Sequence, residues 1–134
     1  MKHLLKSSIA LATLGFAFNA SAVDYKKDIQ PIFDNSCVKC HKAPYKDERT
    51  GRMKKPKSGL RMDSYEELMK GAEGDDDERV PVIKAGDPEN SSAYTLTLLP
   101  ADHDDAMPPE DKADPLTDAQ KKMLHDWIKA GAKK

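Results

Sequence analysis

The stretch Cys37-Val38-Lys39-Cys40-His41 has the Cys-x-x-Cys-His spacing by which a c-type haem is attached. On a helix the two cysteines stand one turn apart on the same face. Two thiols so placed can reach the two vinyl groups along one edge of a porphyrin. His41 follows directly and can turn its imidazole onto the iron as the proximal ligand. Cys37 and Cys40 are the only cysteines in the chain. Three other chemistries suit such a pair. A disulfide between the two would close a very small loop and stabilise little. A thioredoxin-like redox pair needs a βαβ setting, and no strand-like run precedes the motif. A structural zinc would have to recruit His103 and His125 or a carboxylate, without the second Cys or His pair usual in such sites.

The first residues speak to compartment. Lys2 and Lys6 precede an apolar run from Ile9 to Phe18, and Ala20-Ser21-Ala22 completes the pattern of a secretory signal peptide. Cleavage is expected after Ala22, making residues 1–22 the leader and 23–134 one domain. The run is shorter than the ~20 residues that span a bilayer, although an uncleaved anchor is the alternative. The expected location is the periplasm, with no transmembrane segment once the leader is removed. The leader carries two lysines and no acids, so the remainder has 20 basic and 23 acidic residues, a net charge of −3. That balance gives no reason to expect nucleic acid as a partner. Two of the three phenylalanines, Phe16 and Phe18, leave with the leader. The core is therefore thin, a buried haem would supply the missing apolar mass, and the haem-free chain is expected to fold poorly.

Ile29, Ile32, Phe33 and Cys37 share one helical face, which predicts a helix from about Asp28 to Cys40 with Asp28 as its cap and Pro31 in its first turn. From Lys42 to Lys57 the chain is basic and broken by Pro44, Gly51 and Pro56, and it reads as a surface loop. It is either a solvated insertion or a docking patch for an acidic redox partner. Leu60 and Met62 suit a short extended piece against the porphyrin. Arg61 is a candidate contact for a haem propionate, because a guanidinium matches carboxylate geometry. Asp63 or Ser64 should cap a helix of about two turns ended by Gly71, with Met69 in its core. The acids from Glu73 to Glu78 lack the spacing of a calcium loop and read as solvated. A short buried helix is expected within Ser91 to Leu99, capped by Asn90 or Ser91. Pro100 to Pro115 is loop. Thr117-Asp118-Ala119-Gln120 is a capping box that opens a last helix, with Leu124 and Trp127 on its apolar face and Gly131 at its end. Trp127 or Leu124 should cross the first helix near Phe33.

The iron's remaining axial position determines the function. A thioether there gives a higher-potential electron carrier, a second histidine lowers the potential, and an open site admits small ligands. The candidates are Met53, Met62, Met69, Met107, Met123, His103 and His125. Met107 stands apart because it lies alone in a polar loop, with no packing reason to be apolar. Pro108 and Pro109 behind it stiffen the backbone. His103, in the same loop, and Met62 are its nearest rivals.

These residues together resemble the class I cytochromes c, and most closely the planctomycete-type cytochrome c domain. The matching stretches are Ile29 to Phe33 leading into Cys37-x-x-Cys-His41, Gly59 to Ser64, Gly86 to Ser91, Met107-Pro-Pro109, and Leu116 to Gly131. The resemblance implies an all-α fold with the N- and C-terminal helices crossed beside one covalently bound haem c. It also implies Cys37 and Cys40 as thioethers and His41 and Met107 as axial ligands. The basic stretch Ala43 to Lys57 is an enlargement relative to that pattern. The expected function is a one-electron carrier, not an enzyme, acting as a monomer or in transient complexes with redox proteins. The alternatives are a haem-bearing docking subunit of a periplasmic dehydrogenase, and a haem enzyme or gas sensor with an open distal site.

Overall fold

A computed structural model describes residues 23–134. The expected leader, residues 1–22, lies outside the described residues, as does its cleavage point.

The first element of the described residues is a π-helical turn, Tyr25–Ile29, that runs into α1, Gln30–Ser36. Asp24 is the cap, in place of the expected Asp28. Its side chain accepts from the Lys27 amide at 2.8 Å, while the Asp28 carboxylate reaches back to the Asp24 amide at 2.8 Å. The wide turn places the Gln30 amide on the Tyr25 carbonyl. Pro31 has no N–H to continue that ladder, and it sits in the first turn of α1. α1 also stops four residues short of Cys40. The Phe33 carbonyl takes the amides of both Cys37 and Val38, and the helix opens there into a turn.

The basic stretch is not all loop. It folds back as a hairpin of β1, Tyr45–Lys46, and β2, Met53–Lys54, with Tyr45 opposite Lys54. Asp47 closes the turn by accepting from the Thr50 amide and hydroxyl at 2.8 and 2.9 Å. α2, Tyr65–Leu68, is capped by Ser64 as expected, but it is a single turn. Met69 falls beyond it and is exposed. A second hairpin follows, β3 (Ala72–Glu73) against β4 (Arg79–Val80), with the acidic run forming the connecting turn. Gly71 is required at its base. Its φ is +81°, and a Cβ there would lie 2.2 Å from the Val80 carbonyl oxygen.

α3, Ser92–Thr95, continues into a 3₁₀ turn, Leu96–Leu98. Ser91 precedes α3 but does not cap it through its side chain. Its buried hydroxyl donates to the Asp87 carbonyl and accepts from the Lys84 amide, both at 2.8 Å. α4, Asp118–Lys129, has the expected capping box, with the Gln120 amide on the Thr117 hydroxyl and the Thr117 amide on the Gln120 side chain.

Among the described residues the architecture is therefore mostly helical rather than all-α: four α-helices joined by two small hairpins. Leu124, Trp127 and Ile128 of α4 are buried with Tyr25, Ile29, Ile32 and Phe33 in one core. The N- and C-terminal segments meet nearer the chain start than expected. Trp127 lies against Tyr25 at 5.5 Å between ring centroids, and Tyr65 abuts the same ring edge-on at 5.0 Å. The Tyr65 hydroxyl and the Trp127 indole then donate to the Ala132 and Lys133 carbonyls, which fastens the C-terminus over this cluster. Among the described residues no helix is long and apolar enough to cross a membrane.

Candidate functional site

The motif emerges from the end of α1 as a tight turn. The Cys37 carbonyl accepts from the Cys40 amide at 3.1 Å and from the His41 amide at 3.0 Å. The segment after the basic hairpin then lies alongside it. The Lys57 amide donates to the Cys40 carbonyl at 3.1 Å, and the Met62 amide donates to the His41 carbonyl at 2.8 Å. The basic stretch is thus a closed excursion with its neck at Cys40 and Lys57, which is why so many charges fit there without disturbing the motif.

These pairings also hold the His41 ring. Its Nδ1 is 3.1 Å from the Lys57 carbonyl oxygen. Since a carbonyl only accepts, Nδ1 carries the proton and Nε2 presents its lone pair. A backbone carbonyl on the second ring nitrogen is the arrangement that orients metal-ligating histidines. Burial lowers the His41 pKa, and it outweighs the opposing effect of the Lys57 and Leu60 carbonyls. The ring is therefore neutral at neutral pH, the form that binds a metal.

Cys37, Cys40 and His41 open onto a cavity of about 400 Å³. Leu60, Met62, Val82 and Leu96 supply much of its apolar lining, and Met107, Pro108 and Pro109 line it as well. Met107 is brought there by two backbone contacts. Its amide donates to the Leu96 carbonyl at 3.0 Å, and the neighbouring Ala106 is buried with its amide on the His103 carbonyl. The Lys39 ammonium donates to the Lys112 carbonyl at 3.0 Å and ties the Met107 loop to the motif.

A haem fits this donor set. Both cysteines are free thiols. Burial, reinforced by Cys40, pushes the Cys37 thiol up to about 12. A redox dithiol needs the opposite shift, toward thiolate. The wall is apolar, two free thiols, a methionine thioether and one oriented imidazole border the same space, and no buried side-chain polar atom among the described residues lacks a partner.

The remaining candidates are placed elsewhere. His103 is exposed, and its Nδ1 accepts from the Asp105 amide at 3.1 Å within its own loop. His125 meets the Tyr94 ring edge-on and pairs with Asp126 in a separate surface groove. Met53 is 65% exposed on the basic hairpin, and Met123 packs against the core. Arg61 does not line the cavity. Its guanidinium makes two bonds to Asp63, at 2.9 and 3.1 Å, and lies 3.3 Å from Glu67. The Lys57 carbonyl and the Lys39 latch were not anticipated from the sequence. A backbone oxygen carries no residue signature, and a lysine between two cysteines looks like any exposed lysine.

Neither the curated proteins nor the solved structures gave a match to this chain. The family model described as PccH cytochrome c matches residues 24–78. That stretch runs from the cap of the first helix through the motif, the basic hairpin and the Leu60-to-Met62 wall of the cavity. Over those residues the chain is similar to the PccH cytochrome c family.

Proposed function

We propose that the chain is a periplasmic, diffusible one-electron carrier with a single covalently attached haem c, ligated by His41 and Met107. The observation that carries this reading is the convergence of Cys37, Cys40, His41 and Met107 on one apolar cavity. When bound, the haem supplies a ferric/ferrous couple. Cys37 and Cys40 would hold it as thioethers. His41 would offer Nε2 to the iron, with the Lys57 carbonyl fixing the tautomer that leaves this nitrogen free. Met107 would offer its thioether from a loop stiffened by two prolines. The apolar walls exclude water and raise the cost of charge in the pocket.

Met62 also lines the cavity, but its amide is bonded to the His41 carbonyl, so its backbone runs beside the proximal histidine. Met107 comes from a separate loop and is the better distal ligand. The periplasmic location is supported by the leader pattern that ends at Ala22. The ligation is tested by the visible spectrum of Met107→Ala. The weak near-red band of methionine-ligated ferric haem should be present in the parent protein and absent from the variant. If the band persists, Met107 is not the ligand.

A further inference from the structure

Two runs of opposite charge meet at the motif. Between Lys42 and Lys57 there are seven basic residues and two acids, a net +5. Between Asp102 and Asp114 there are six acids and one lysine, a net −5. Both runs reach the same cavity mouth. Lys57 borders it on the basic side, and Met107 and Lys112 border it on the acidic side. Each run is fastened to the motif, the first through Lys57 on His41 and the second through Lys112 on Lys39. All six acids of the second run are exposed, and so are the basic residues of the first except the half-buried Lys42. The ion pairs in these runs, Lys54 with Asp47 and Lys112 with Asp111, are internal to each. Among the described residues none joins one run to the other.

We infer that this bipolar rim is a docking surface for a second copy of the same chain. The basic run of one protomer meets the acidic run of the other, and two-fold symmetry makes the reverse contact at the same time. A uniformly acidic partner on the basic run would face the acidic run beside it, and like charges across an interface are costly. A partner with the same bipolar rim satisfies both halves. The arrangement brings the two cavity mouths face to face. One electron then passes from a reduced copy to an oxidised one, each exchanging its state with the other, and no proton moves. This use of the surface rests on the carrier reading; the docking itself rests on the charges. The complex is transient, because it is built from exposed, hydrated side chains.

The experiment uses the haem-loaded, reduced protein in a concentration series followed by amide NMR shifts, alongside the electron self-exchange rate of mixed oxidised and reduced protein. At low salt the shifts should grow with concentration and map to residues 42–57 and 102–114. They should vanish at about 0.5 M salt, where the screening length is only a few ångströms. Self-exchange should fall at least about tenfold over the same range, as steered encounters do. Lys46→Glu/Arg49→Glu and Asp102→Lys/Asp104→Lys should each lose the shifts and slow self-exchange. A mixture of the two should show stronger shifts than either variant alone, because one intact run of each still meets its complement. Shifts that are absent, that map elsewhere, or that the mixture fails to recover overturn the inference. A reversible couple without these shifts leaves the carrier reading standing and removes the docking surface. Shifts without a reversible couple do the reverse.

Discussion

His41 is held at three points: its ring by the Lys57 carbonyl, its amide by Cys37 and its carbonyl by the Met62 amide. A histidine so fixed has little freedom left to lose when it ligates a metal, which is how a binding site is preorganised. Met107 is held less tightly, by one amide bond to Leu96 and the proline pair behind it. Its substitution therefore tests ligand identity without dismantling the fold. Met107→His should keep a six-coordinate iron and lower the potential, within the ~0.8 V range that axial ligation governs. Direct voltammetry of the two proteins checks this, and an unchanged potential would count against Met107 as ligand. At this scale the sequence was legible for four side chains that line the cavity, Cys37, Cys40, His41 and Met107. A cysteine pair with an adjacent histidine has few other uses, and a lone methionine in a polar loop has no packing reason to be there. It was silent on the backbone carbonyl that orients the ring. It also offered Arg61 to a propionate, whereas the structure gives that guanidinium carboxylates of its own in Asp63 and Glu67.

Among the elements, α4 was the most readable, since its start, apolar face and end each have a local chemical signature. Removing the cap in Thr117→Ala frees the Gln120 amide and should cost about 1 kcal/mol. That is a fall in midpoint of a few °C, on the order of 4 °C, measured by thermal unfolding of the haem-loaded protein. Trp127→Ala should cost far more, roughly 3–5 kcal/mol, because it empties the contact with Tyr25 at the centre of the core. The first helix ends short of Cys40 because one carbonyl, that of Phe33, takes two amides, which apolar spacing cannot register. The two hairpins were missed because their strands are two residues long and mostly exposed, so they carry no alternating apolar pattern. The corner between motif and α2 should be acid-sensitive. Burial alone would raise the Asp63 pKa, but the Arg61 guanidinium and the Ala43 amide outweigh it and hold the carboxyl below its usual range. A depressed carboxyl contributes stability above its unfolded pKa, about 4, and loses it as the pH falls further. Acid unfolding should therefore begin at higher pH in Asp63→Asn than in the parent, as followed by far-ultraviolet circular dichroism. Coincident acid transitions would remove Asp63 from that role.

Across the described residues, one apolar core runs from the aromatic cluster of Tyr25 and Trp127 to Leu60, Met62 and Val82, which also line the cavity of about 400 Å³ beside the motif. The composition pointed to a thin core, with only eight aromatic residues in the whole sequence. What composition could not show was charge placement: the basic and acidic runs are far apart in sequence and come together only because both are fastened to the motif turn. The haem-loaded chain should be cooperatively folded, and Cys37→Ala/Cys40→Ala, produced without attached haem, should lose most of its cooperative thermal transition. A sharp, undiminished transition in that variant would mean that the core suffices without the haem.

The central claim is that this cavity holds a His41- and Met107-ligated haem that cycles one electron. The most direct measurement is the visible spectrum of the purified ferric protein, followed through reductive titration with and without carbon monoxide. A low-spin spectrum with the near-red methionine band, one reversible one-electron step and a ferrous form that carbon monoxide does not rapidly perturb are the predicted result. A high-spin ferric spectrum, or rapid carbon monoxide binding to the ferrous form, would contradict it.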